Sequence, residues 1–122
     1  MDAAATSKPK VLLANEPRSY RQAIAGVLRG LRPDLDVAET EQAHLDRELR
    51  RGTPQLVICS HATPAVRVAV PAWVELYTDH GSLSSVSIHQ EVSAVDGMEI
   101  SDLLQIVDKA VAILSEDEVL RL

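Results

Sequence analysis

The stretch KVLLANEPRSYRQAIAGVLRGL, residues 10–31, places an apolar run, a short polar break and an amphipathic helix in succession. Val11, Leu12, Leu13 and Ala14 are consecutive apolar residues, the pattern of a strand covered on both faces rather than one. After Pro17, the positions Tyr20, Ile24, Val27, Leu28 and Leu31 recur at helical spacing, and Gly30 with Pro33 marks the stop. A strand buried on both faces and followed at once by a helix is the first half of a β-α-β unit, which points to a parallel sheet in an α/β domain.

The same alternation continues outward from this stretch. Leu35 to Glu39 alternates apolar and acidic residues as a second strand, and Thr40 is a cap for a helix from Glu41 to Arg51 that ends at Gly52 and Pro54. Gln55 to Cys59 supplies a third strand around the run LVIC. Between Ser60 and the next strand-like run, Trp73 to Thr78, lie only 12 residues and the prolines Pro64 and Pro71. That leaves little room for a full crossover helix. From Asp79 to Met98 the chain is rich in Ser, Val and Gly, and Val86, Ile88, Gln90 and Val92 alternate as a strand or hairpin would. The clearest helix comes last, with Ile100, Leu103, Leu104, Val107, Ala110, Val111 and Leu114 on one stripe.

These elements divide the 122 residues into a lead-in at 1–9, one domain at 10–115 and an acidic tail at 116–122. Aromatics make up only 2% and Phe is absent, so Leu, Val, Ile and Ala must build the core. A net charge of −6 argues against nucleic-acid binding, because phosphate backbones would repel the chain on average. The cluster Arg47, Arg50 and Arg51 suits a helix C-terminus. The single cysteine, Cys59, excludes an internal disulfide and fits a reducing compartment. No apolar run is long enough to span a bilayer, and the first ten residues lack the apolar segment of a secretory signal, so the expected location is the cytoplasm.

With the elements in this order, the chain resembles the receiver domain of bacterial response regulators. KVLLANEPRSYRQAIAGVL resembles that family's first strand and helix, where two adjacent acidic residues follow the strand; Asn15 and Glu16 occupy those places. PQLVICSHATP resembles the third strand and its loop, with Ser60 at the position of the phosphoacceptor aspartate and Pro64 at that of the loop proline. VELYTDHG resembles the fourth strand, whose switch hydroxyl falls on Thr78, and GMEISDLLQIVDKAVAIL resembles the last helix. The resemblance implies a three-layer, flavodoxin-like parallel sheet of five strands in the order 2-1-3-4-5, here with the third and fourth helices reduced or lost. His89 is the nearest candidate for the family's fifth-strand lysine.

Receiver chemistry needs an ionised carboxylate nucleophile and a magnesium ion held by further carboxylates. Of the three expected carboxylates only Glu16 remains, and the Ser60 hydroxyl cannot replace an aspartate without a base. The expectation is therefore a non-enzymatic pseudo-receiver with no cofactor, its degenerate pocket formed by Asn15, Glu16, Ser60 and Thr78. With no output domain expected after Leu122, it would act through a protein partner or a second copy. With the third helix squeezed between prolines and the fourth replaced by extended chain, Val66, Val68, Val70 and Trp73 would be partly exposed, and this thinned face or the segment Ser84 to Val95 would form the contact. Two alternatives stand beside this one. Glu16 or Ser60 could serve as an unorthodox phosphoacceptor, or Asn15, Ser60, Thr78 and Asp79 could surround a small ligand at the strand ends, with Asp79 and His89 as ligand or switch residues. The four histidines show no spacing typical of a zinc site.

Overall fold

The computed structural model describes residues 8–76 and 83–120, with the side chains of the last helix described to residue 112. In chain order the elements are β1 (Lys10–Leu13), α1 (Arg18–Leu31), β2 (Asp36–Glu39), a 3-10 turn (Gln42–His44), α2 (Leu45–Arg51), β3 (Leu56–Cys59), α3 (Pro64–Ala69), β4 (Ala72–Glu75), β5 (Leu83–Ile88), β6 (Glu91–Asp96) and α4 (Ile100–Leu120). They form a mixed sheet of six strands in the order β2-β1-β3-β4-β5-β6.

The first four strands are parallel, with Val11 opposite Val37 on one side and Leu56 on the other. β5 then runs antiparallel to β4, and β6 antiparallel to β5. This corrects the expected five-stranded parallel sheet. Only seven residues separate Glu75 from Leu83, whereas returning a strand parallel to its neighbour takes a crossover of about a dozen residues or more. The hairpin expected in the Ser- and Val-rich stretch is present, closed by His89 and Gln90, which both have positive φ (50° and 70°). Gly97, at φ 63°, turns the chain out of β6 toward α4.

Alternation along each strand divides the core between the two sheet faces. Val11, Leu13, Leu56, Ile58 and Val74 pack against Ile24 and Leu28 of α1 and Leu103 and Val107 of α4. On the other face Leu12, Val57, Cys59 and Trp73 pack against Leu45 and Leu49 of α2 and Val66 of α3. All four residues of β3 are fully buried, as a continuous apolar run requires. Arg32, just past α1, grips Asp108 of α4 with two hydrogen bonds of 2.8 Å, fastening the helices that share a face.

Two finer expectations are also corrected. Thr40 does not cap a helix: its N–H extends the parallel ladder to the Leu13 carbonyl at 2.8 Å, and the N-cap positions fall on Glu41 for the 3-10 turn and on His44 for the α-helix, which begins only at Leu45. Val66, Val70 and Trp73 are buried rather than partly exposed, since the six-residue α3 survives and covers them. Only Val68 of that set is open, at 87% exposure. Ahead of β1 the Pro9 carbonyl accepts the Asp36 N–H at 2.9 Å, and α4 runs on to Leu120, so the acidic tail extends the last helix.

Candidate functional site at the carboxyl ends of β1 and β3

The β1-α1-β2 connection leaves β1 over one sheet face and the β3-α3-β4 connection leaves β3 over the other, in opposite directions along the sheet, so neighbouring β1 and β3 part at their carboxyl ends. In α/β sheets that parting is where a crevice opens. Asn15 follows β1 there and Ser60 follows β3. The two loops are stitched together directly: the Glu16 backbone N–H donates to Ser60 Oγ at 2.8 Å. This contact brings Asn15, Glu16 and Ser60 together at the strand ends. Thr78 and Asp79 lie outside the described residues. His89 sits at the opposite edge of the sheet, where its N–H reaches the Pro71 carbonyl just before β4, and so it does not belong to this crevice.

Asn15 is completely buried. Its backbone carbonyl accepts from Arg21 Nη1 at 3.4 Å, but among the described residues neither polar atom of its side chain has a hydrogen-bond partner. Arg21 is itself buried, with Nε 3.7 Å from Glu39 Oε1. Arg29 approaches the same carboxylate at 3.3 Å.

The loop after β3 has its backbone donors occupied from within the protein. Gln42 Oε1 accepts from the N–H groups of Ser60 (2.9 Å) and His61 (3.1 Å), and Gln42 Nε2 donates back to the His61 carbonyl at 2.8 Å. The next N–H, that of Ala62, donates to Glu75 Oε2 at 2.7 Å. Arg67 balances this carboxylate at 3.2 Å, donates from Nε to the Ala62 carbonyl at 3.1 Å and lies 4.6 Å above the centre of the Trp73 ring. Thr63 caps α3 by accepting the Val66 N–H and donates to Asp46 at 2.6 Å, which joins α3 to α2.

Three consecutive N–H groups would form an anion cradle if they were free. Here two are held by an amide oxygen and the third by a carboxylate, whose charge would repel an anion. Beside them the Cys59 thiol donates weakly to the Val74 carbonyl (3.6 Å), and burial pushes its pKa up to about 12. Among the described residues, no three His, Cys, Asp or Glu side chains gather as metal ligands. An open groove of about 550 Å³ lies at the other end of this face, lined by Val68, Val70, Trp73, Ser87 and Val92 among others.

Sequence reasoning missed Gln42, Glu75 and Arg21. A charge inside the otherwise apolar run AWVEL was a usable signal for Glu75. Gln42 had none, because its partners lie 18 and 19 residues away. No described helix is long and apolar enough to cross a membrane. No protein-family model matches the chain, and neither a curated protein nor a solved structure matches it.

Proposed function

We propose that this protein is a non-catalytic, receiver-like interaction module that works without phosphorylation, in the cytoplasm, in bacterial signalling or transcription regulation. It binds a protein partner or a second copy of itself rather than nucleic acid or a membrane. One observation carries this proposal: the loop after β3, where a receiver would accept its phosphoryl group, has its Ser60, His61 and Ala62 N–H groups bound to Gln42 and Glu75. A phosphoryl group arriving there would have to displace both side chains and face the Glu75 carboxylate. The strand order β2-β1-β3-β4 and the meeting of Asn15, Glu16 and Ser60 support the receiver-like reading; the antiparallel β5 and the added β6 depart from it.

The test is intact-mass measurement after incubation with acetyl phosphate and magnesium. The mass stays unchanged if the proposal holds. A phosphoryl adduct on Ser60 or Glu16 overturns it in favour of an unorthodox phosphoacceptor.

A second reading, a small-ligand domain, draws on the buried amide of Asn15, which has no partner among the described residues, since such a group often marks a functional position. A metabolite screen by thermal shift tests it. A ligand at a hundred times its dissociation constant adds about 2.7 kcal/mol of stability.

A further inference from the structure

Among the described residues, β6 is an edge strand with no neighbour on its outer side. Its six residues, EVSAVD, pair with β5 in an unbroken register from Leu83–Asp96 to Ile88–Glu91. Edge strands usually carry a proline, a lysine or a bulge that discourages pairing with another chain, and β6 has none of these. Glu91 to Ala94 are exposed, Val92 to 63%.

The phase of the backbone determines what such an edge can accept. The two-residue turn at His89 and Gln90 makes Ile88–Glu91 a hydrogen-bonded pair, and alternation makes Val86–Ser93 and Ser84–Val95 the next ones. The His89 N–H donates to Pro71 on the β4 side, which agrees with this phase. The N–H and C=O groups of Val92 and Ala94 therefore point away from the sheet. Along the strand, Val92 and Ala94 are apolar and share one face, with the acids Glu91 and Asp96 only at the two ends.

We propose that β6 pairs antiparallel with β6 of a second copy of this chain, joining two sheets into one across a twofold axis. The pairing deepens the interaction reading above by naming one partner. Antiparallel pairing sets outward-facing residues opposite outward-facing residues, and of the residue-centred registers this permits, those centred on Ala94 and on Ser93 pair the most of β6. In the first, Glu91 lies opposite Gly97 of the second copy; in the second, opposite its Val95. The intermediate register, which would set Glu91 against Asp96, is excluded because it opposes outward groups to inward ones. In the Ser93 register Val92 of each copy lies opposite Ala94 of the other, an apolar strip with Asp96 at its ends, the distribution that interfaces favour; in the Ala94 register the two Ala94 residues meet at the axis and Val92 lies opposite Asp96 of the second copy. Two six-residue strands bury less than the roughly 1,000 Å² of a stable interface, so the dimer is a weak one.

Sedimentation equilibrium at tens to hundreds of micromolar tests this. The wild-type chain dimerises, and Ala94→Pro, which removes an outward donor without costing a β5–β6 bond, is monomeric with unchanged circular dichroism. Ala94→Cys and Ser93→Cys provide a second measurement that does not depend on the proline variant folding. Under mild oxidation one of them forms a disulfide-linked dimer, with Cys59 buried and silent. A wild-type chain that is monomeric throughout, or cross-linking at neither position, overturns the proposal and leaves the edge to a foreign strand. Neither result touches the phosphorylation test, so the two proposals fail separately.

Discussion

Gln42 Oε1 accepts hydrogen bonds from both Ser60 N–H and His61 N–H, so a side chain from the 3-10 turn holds the loop after β3 in place. Gln42→Ala strands two backbone donors in a loop that is half open to water, and each net hydrogen bond contributes about 1 kcal/mol. Urea denaturation should show a loss of about 1 to 2 kcal/mol. An unchanged midpoint would mean that water replaces the amide without cost.

Asn15 is buried with its amide unpartnered among the described residues, and leaving such a group dry costs about 1 to 3 kcal/mol. Asn15→Leu, close in size and without the polar atoms, should leave stability unchanged or raise it by about 1 kcal/mol. A loss of several kcal/mol would show that the amide is engaged.

Cys59 should be unreactive toward thiol reagents in the folded protein and react fully in denaturant. Burial raises its pKa from 9.0 to about 12, so the folded state keeps a proton that the unfolded chain gives up. The sign follows directly: this contribution to stability is complete below pH 9.0 and is lost as pH rises toward about 12. Cys59→Ser should flatten that alkaline loss.

Asp108 behaves in the opposite direction. Its hydrogen bonds from Arg32 hold its pKa below the usual carboxylate value, so its contribution is present above the unfolded pKa and is lost as pH falls through the folded one. The pair is surface-accessible and therefore salt-sensitive. Asp108→Asn should reduce the acid sensitivity of unfolding, and high salt should narrow the difference from wild type.

The β5–β6 turn places two non-glycine residues at positive φ, a conformation that suits Asn-Gly. Replacing His89 and Gln90 by that pair should raise stability by about 1 kcal/mol and leave the sheet unchanged. Thermal denaturation checks it.

Much of the architecture was legible in the residues themselves, where local pattern and burial agree. VLLA and LVIC are apolar throughout because β1 and β3 are covered on both faces, and the stripes of α1 and α4 at 3.6-residue spacing face the same side of the sheet. The likeness to receivers put Asn15, Glu16 and Ser60 in one pocket, and the order of β1 and β3 as neighbours whose outgoing connections part is the physical reason that they meet. The direction of β5 could have been read too. Seven residues after β4 are too few for a parallel return, but the likeness to receivers suggested one.

What only the tertiary structure decided is how the polar groups at the strand ends are satisfied. Gln42, Glu75 and Arg67 reach the loop after β3 from three separate elements, and hydrogen bonds between side chains and a distant backbone leave no periodicity in a sequence. The burial of Val66, Val70 and Trp73 was likewise invisible, because it depends on a single short helix docking on the sheet. Periodicity encodes which face of an element is apolar. What covers that face depends on contacts between elements far apart in the chain.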